Sequence, residues 1–495
     1  MTKVAASFVG CKVSQADGEE ALAGLAAAGL EPVTARDAAD VVVVHTCCVT
    51  AEAERKSRRL VRRAASAGKR VVVAGCAAAL RPEQFEGEGV MVAARPDWAA
   101  LAGQLAARDT GDCAAGTRGA AGGNGLVGGA THDATDGVTH DATGGATHDA
   151  TGGATHDATD GARHDATDDA APGGTYGAPG RPRVSAIGDS GVSAPAEAAR
   201  ATPGARTRLV LKVQDGCAGA CTYCVVRVVR GEPRSVSLGD ALAAARAGIA
   251  RGCGEVVLSG IDLGAWRDGE ARLPELVAAV AELDGLRRVR LSSVEPRHVD
   301  ARLLETLAHP RVARHLHVPL QSADDGVLRA MRRPYTFARY LRAVEGLRRL
   351  AAGGAMLSTD VIVGYPSEDE AAFARTLEAL QSGLFGRAHV FSYSARPGTA
   401  AAELPPLPAA VVKERMGRAL AVAGAAALAA RRATLGREAE VLVEERRDGL
   451  WRGYSSEYVR FSLHGDARRG ELVSAVADDA TADGVTGRVL GPVRE

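Results

Sequence analysis

The sequence predicts an α/β protein in three folded parts: a small N-terminal parallel α/β domain at 1–107, a central partial barrel of six βα units at 206–434, and a small antiparallel β-barrel at 437–495. Three observations carry this. Short apolar runs alternate with Ala-rich stretches of helical period through the first two parts. A repetitive segment with little apolar surface separates them, at 108–205. After residue 437 the helical stretches give way to short strands between Gly and Asp turns.

In the N-terminal part KVAASFVG, DVVVVHTC and KRVVVAGC read as strands, with GEEALAGLAAAGL a helix after the first. Each strand runs up to a cysteine: Cys11, Cys47 or Cys76. A parallel sheet aligns the carboxyl ends of its strands along one edge, where ligands bind, so these three thiols are expected to converge.

The segment 108–205 repeats an eight-residue unit (THDATDGV, THDATGGA, RHDATDDA) and is expected to be a disordered linker. Its His132, His140, His148, His156 and His164 recur with the unit and are read as products of repeat expansion rather than a metal site. Although the whole chain has a formal charge of zero, residues 107–206 hold seven basic and thirteen acidic side chains, leaving the remainder at +6. A mildly basic remainder permits an anionic partner such as RNA without requiring one.

Strands are predicted in the central part at 208–213, 255–260, 287–292, 315–320, 356–364 and 388–393, separated by helices such as GDALAAARAGIARG. The C-terminal runs EAEVLVEE, DGLWRGYS, YVRFSLHG, GELVSAVA and VTGRVL suit a five-stranded barrel of the oligonucleotide-binding kind. There Trp451, Tyr454, Tyr458 and Phe461, with Arg452 and Arg460, offer base stacking and phosphate contacts. The competing reading places at least half of these aromatics in the barrel core, Tyr458 among them.

The opening MTKVAASFVGCKVSQ lacks the basic start and apolar core of an export signal, and the apolar window 419–430 is far short of the roughly 20 residues that span a bilayer. A cytoplasmic location without membrane contact is expected. Nine cysteines, an odd number, argue for reduced thiols in metal binding or catalysis rather than a disulfide framework.

The run DGCAGACTYC sets Cys217, Cys221 and Cys224 just past the first central strand. A structural zinc site wants four ligands, and no second pair lies nearby, since Cys253 is single. A disulfide leaves one thiol over. Three thiolates on a short loop suit a [4Fe–4S] cube better, because the fourth iron stays open to a substrate or cosubstrate.

This CxxxCxxC motif at the first strand of a βα barrel resembles that of radical S-adenosylmethionine (SAM) enzymes. CTYC and Arg230–Gly231 resemble their methylthiotransferase branch, as do GCKVSQADGE, HTCCVT and AGCAA in the N-terminal part. VVLSGIDLGAW, RVRLSSVEP, HLHVPLQSADDGVLRAMRRPYT, TDVIVGYPSEDE and HVFSYSARPGTAA extend the likeness nearly to Ala401, and the last part is similar to an RNA-binding TRAM domain. The linker alone falls outside it.

The resemblance implies two [4Fe–4S] clusters and SAM. Cys217, Cys221 and Cys224 would hold the radical SAM cluster, and Cys11, Cys47 and Cys76 an auxiliary one, with Cys47 rather than Cys48 chosen by the motif. Tyr223, Gly260 and Glu295 would lie near the cofactor, although loop packing, a tight turn and a surface carboxylate explain them equally. The implied chemistry is a deoxyadenosyl radical activating carbon 2 of an adenine, to which a methylthio group is transferred, without a side-chain general base. GCKVSQ, LSSVEP and HVFSYSARPGT point to N6-threonylcarbamoyladenosine at tRNA position 37. The alternatives are N6-isopentenyladenosine, an aspartate of a ribosomal protein, or, from another class, a zinc-containing RNA-binding protein. An electron donor such as flavodoxin or ferredoxin is implied. Ser14, His45, Ala218, Gly219 and Arg227 depart from the family pattern without removing a ligand, and His45 is expected to donate to the auxiliary cluster rather than ligate it.

Overall fold

The computed structural model describes residues 1–107, 206–350 and 356–493. The repeats, their histidines and Cys113 lie outside the described residues, which belong to one compact unit. Five parallel strands form the N-terminal layer in the order β2-β1-β3-β4-β5: β1 (Lys3–Phe8), β2 (Glu31–Pro32), β3 (Val41–Thr46), β4 (Arg70–Gly75) and β5 (Val90–Val92). Central β3 is buried at every position, as a strand covered on both faces should be. α1 (Lys12–Ala27) and α4 (Trp98–Ala107) pack on one face, α2 (Ala51–Ser66) and α3 (Cys76–Leu80) on the other. The first helix begins earlier than its sequence pattern predicts, with Cys11 itself in the N-cap position.

Six parallel strands make the central part: β6 (Arg208–Asp215), β8 (Glu255–Gly260), β11 (Arg288–Leu291), β12 (His315–His317), β13 (Met356–Val363) and β14 (Arg387–Ser392). They form two sheets, β11-β8-β6 and β12-β13-β14, joined by parallel bridges Val289↔Val312 and Ser293↔His317 into one open curve. Short β7 (Arg234–Ser235) adds an antiparallel edge to β6, and β9 (Arg267–Asp268) pairs with β10 (Ala271–Arg272). β12 stops well before residue 320 because Pro319 has no N–H to give the ladder. Along each strand one set of residues, such as Leu211, Leu258 and Val361, packs against the helices. The alternate set, rich in Arg, Lys and His, faces the concave side.

The C-terminal strands β15 (Glu438–Arg447), β16 (Leu450–Ser455), β17 (Arg460–His464), β18 (Leu472–Ala480) and β19 (Val485–Pro492) close a barrel in the order β15-β16-β17-β19-β18. The all-antiparallel expectation needs correcting: β17 and β19 pair in parallel. β19 folds back on β18 as a hairpin and therefore runs in the direction of β17 when it closes the barrel. Phe461 fills the barrel core, but Tyr458 does not. Tyr454 and Tyr458 instead face the central strands, under the guanidinium groups of Arg208 (4.8 Å) and Arg290 (4.6 Å), with the His315 ring 4.9 Å from Tyr458.

The barrel is bolted to the central sheet through buried charge. Glu255, fully buried on β8, accepts from Arg288 and Arg290 on β11. The remaining N–H groups of those arginines reach the barrel backbone, Arg288 donating to Tyr454 O (2.9 Å) and Arg290 to Ser455 O (2.9 Å) and Ser456 O (3.0 Å). Burial alone would raise the Glu255 pKa, yet the two arginines hold it well below the usual carboxylate range. Replacing Glu255 with Ala leaves two buried guanidinium groups without a counter-charge. The expected loss is about 3–5 kcal/mol of stability, read as a shifted urea midpoint, together with faster proteolytic release of the barrel.

Burial also keeps His315 well below the usual imidazole value, and the neighbouring Arg290 and Lys12 charges push the same way, so it is neutral when folded. The unfolded chain takes up that proton near pH 6.5. This contribution to stability is therefore complete above about pH 6.5 and is lost as pH falls below it. Denaturation midpoints measured at pH 7.5 and 5.5 should show the loss, and His315→Gln should reduce it.

Candidate active site

Two sets of cysteines lie where the N-terminal layer meets the central strands. In the first, Cys11 caps α1, Cys47 follows β3 and Cys76 opens α3. Gly10, at φ +130, brings the chain so close that a Cβ there would sit 3.1 Å from the Cys47 sulfur. The Cys47 thiol feels the charges of Cys11 and Cys76, and burial pushes it up to about 12. Cys76 moves the other way, because its sulfur accepts from the Cys48 thiol and from Arg230 Nε at 3.2 Å. Cys48 is fully buried behind it.

In the second set, Cys217, Cys221 and Cys224 follow β6 on one loop. Gly216, at φ +74, makes the turn into Cys217, where any Cβ would lie 2.0 Å from Glu232 O. The Gln214 side chain fastens this loop, donating to the carbonyls of Asp215 and Gly216 and accepting from Asp262 N at 2.7 Å. Burial pushes Cys224 up to about 12 and raises Cys217 as well.

The eight described cysteines are all free. Three free thiols in each set supply the soft sulfur donors that iron takes, so both donor sets fit an iron–sulfur cluster. Each set also has one sulfur under a buried guanidinium. Arg230 covers Cys76, and Arg333 donates to the Cys221 sulfur at 3.3 Å while pairing with Glu295.

Glu295 thus stands at this site through Arg333 rather than as a free surface carboxylate. Tyr223 packs with Met331 and Tyr365, and burial, partly offset by Arg333, raises its hydroxyl well above the usual phenol value. Gly260 leaves room for Gln214, whose Cβ would be 2.9 Å from an added methyl. His45 is buried with no hydrogen-bond partner for either ring nitrogen, beside Trp98 and against Gly18, and bonds to no cysteine among the described residues. Sequence reasoning missed Arg333 and Asp262, the latter 4.0 Å from the Cys217 sulfur and paired with Arg297 and His298. Arg333 lies within the MRRPYT run of the resemblance, but no spacing rule ties it to Cys221.

What joins the two sets is Arg230. Its guanidinium donates to Asp17 on α1 (2.7 Å), to Asp215 on β6 (3.2 Å) and to Cys76. Burial alone would raise Asp17, but Lys212 and Arg230 hold it well below the usual carboxylate range. Lys212 also pairs with Glu20, and on the far side Arg396 pairs with Glu54 at 2.8 Å. Val225 and Val229, next to the cysteine loop, pack into the N-terminal core beside Ala77 and Ala78.

Residues 211–380 match the radical SAM superfamily, and residues 3–94 match a family described as uncharacterized protein family UPF0004. The first match supports a radical SAM core at those residues, and with it the iron–sulfur cluster and SAM which that class implies. Together with the relatives that follow, the two matches support a radical SAM methylthiotransferase family for this chain. It is 37% identical over 285 residues to a tRNA-2-methylthio-N(6)-dimethylallyladenosine synthase of Cereibacter sphaeroides, covering 57% of this chain and 65% of that protein. It is 40% identical over 273 residues to the enzyme of that name from Thermobifida fusca, covering 53% of each. It is 35% identical over 285 residues to the threonylcarbamoyladenosine tRNA methylthiotransferase MtaB of Thermotoga maritima, again covering 57% and 65%. The chain thus spans under two thirds of the length of these relatives. A solved radical S-adenosylmethionine methyltransferase, TsrM of Kitasatospora setae, aligns with TM-score 0.49 and 12% identity over 81% of this chain and 77% of that one. Among the described residues no helix is long and apolar enough to cross a membrane.

Replacing Arg230 with Met removes the shared partner of Asp17 and Asp215. About 3 kcal/mol or more of stability should be lost. Arg230→Lys should recover part of it, since an ammonium keeps the charge but cannot reach three acceptors in one plane. Urea denaturation of the two variants checks both expectations.

Proposed function

We propose that the protein is a tRNA methylthiotransferase that places a methylthio group on carbon 2 of N6-threonylcarbamoyladenosine at position 37. The observation that supports it most is the pair of three-cysteine sets, one at the sheet edge of each parallel layer, held together by one guanidinium. In this reading residues 1–107 are the methylthiotransferase domain, 206–434 the radical SAM core and 437–495 the RNA-binding barrel.

Cys217, Cys221 and Cys224 would hold the cluster that binds SAM, and Cys11, Cys47 and Cys76 a second one. The clusters supply radical chemistry that acid–base groups cannot, because the adenine C2–H bond is strong and unpolarised. The chain's own part is placement. Arg333 and Arg230 donate to one sulfur in each set, while Gln214 and Asp262 fix the cysteine loop. Arg446, Arg447, Arg468 and Arg469, all exposed on the barrel, offer phosphate contacts to tRNA. An electron donor such as flavodoxin or ferredoxin, and a cytoplasmic setting, go with this reading.

The same chemistry on N6-isopentenyladenosine is the second reading, favoured by the likeness to the dimethylallyladenosine synthases. In favour of the first reading stand the GCKVSQ, LSSVEP and HVFSYSARPGT runs, which resemble the threonylcarbamoyladenosine branch. Nucleoside mass spectrometry of tRNA from cells with and without the gene tests both. The expected result is loss of the 2-methylthio derivative of threonylcarbamoyladenosine with accumulation of its precursor. Loss of the isopentenyl derivative instead would move the substrate to the second reading.

A further inference from the structure

The concave face of the central strands carries a surplus of positive charge among the described residues. By register, His317 lies opposite Ser358 and Asp360 opposite His389, so these side chains share one face of β12, β13 and β14 with Arg387. Ser358 Oγ lies 2.9 Å from a ring nitrogen of both His315 and His317, and His317 Nε2 lies 3.2 Å from Asp360. Lys12 reaches the same space from the N-terminal layer. Its ammonium stands 5.2 Å from the centre of the Tyr458 ring, beside Arg290 and His315.

Two of the carboxylates here are already engaged, Glu255 by Arg288 and Arg290 and Glu444 by Arg208, and Asp360, which lies against His317, is left to face the two cations Lys12 and Arg387. Among the described residues neither Lys12 nor Arg387 has an ion-pair partner. Lys12 is half-buried, where an unbalanced ammonium is costly unless a ligand brings the missing charge. His317, Asp360 and His389 do offer ligand atoms within 4.8 Å of one another, as a metal site would. The surplus of cations around them repels a metal ion and attracts an anion.

We propose that Lys12, Arg387 and His389 form a carboxylate-binding site on the concave face of the partial barrel, which takes the threonyl carboxylate of the target nucleoside. The assignment rests on the reading of the substrate given above. His389 and Ser358 add hydrogen bonds of the kind an amino-acid substituent can use and an isopentenyl group cannot. A tRNA backbone phosphate would satisfy the same charge, so the test must separate the two sources.

The test is equilibrium binding of the reconstituted, full-length holoenzyme to labelled anticodon stem-loops. Position 37 carries threonylcarbamoyladenosine, its carboxyl methyl ester, isopentenyladenosine or unmodified adenosine. Wild type is expected to bind the free acid at least ~10-fold more tightly than the ester, the scale of a charge-assisted hydrogen bond. Lys12→Met and Arg387→Met should shrink that ratio towards one while binding the adenosine loop as wild type does, and Lys12→Arg should restore it. Matching cluster absorbance shows that each variant is loaded. A ratio that persists in both Met variants overturns the site and leaves the substrate reading standing. If Lys12→Met instead weakens all four loops equally, Lys12 meets a backbone phosphate, and the carboxylate assignment is wrong. Wild type that prefers the isopentenyl loop and ignores the acid overturns the substrate reading, and this site with it.

Discussion

The guanidinium of Arg230 is the constraint on which the rest of the structure depends. It lies buried between two layers that the sequence separates by a long repetitive segment, and it bonds to a carboxylate in each of them and to a cysteine sulfur. An arginine taken out of water to this degree is stable only while its partners stay in place. The two layers are therefore fixed to one another by what lies at their interface, with Lys212 against Asp17 and Glu20 on one side and Arg396 against Glu54 on the other. Val225 and Val229 add an apolar contact from the same loop that carries the cysteines. Relative placement of the two thiol sets follows from these contacts.

A second consequence concerns the sulfurs. Each set has one cysteine that accepts from a buried arginine, Cys76 from Arg230 and Cys221 from Arg333. A fixed positive charge at hydrogen-bond distance stabilises negative charge on a thiolate, and on any cluster it ligates, and so bears on its reduction potential. Both arginines are tied to carboxylates, Asp17 and Asp215 for one and Glu295 for the other, so neither is free to swing away. The structure treats the two sites alike, although they belong to different layers of the fold.

Much of this was legible in the sequence. Three strands running up to three cysteines showed where the first set would gather, because the parallel sheet fixes which end of each strand is the open edge. The DGCAGACTYC run showed the second set directly. What remained hidden depends on residues distant along the chain: Arg230 meets Cys76 across 154 positions and Arg333 meets Cys221 across 112. No periodicity or local spacing encodes such a pair. The barrel aromatics misled for a related reason. Alternation puts Tyr458 in the barrel core, whereas Phe461 lies there and Tyr458 precedes β17 at φ +67 and turns to the neighbouring sheet. The parallel closure of β17 on β19 likewise follows from topology, which strand patterns alone do not reveal.

The central claim is that the two thiol sets are separate cluster sites in one chain. The most direct measurement is iron and acid-labile sulfide per chain in anaerobically reconstituted protein, for wild type and for the triple alanine variant of each set. Two cubes predict about eight irons in wild type and about four in either variant. About four irons in wild type, unchanged when Cys11, Cys47 and Cys76 are replaced, would contradict the account.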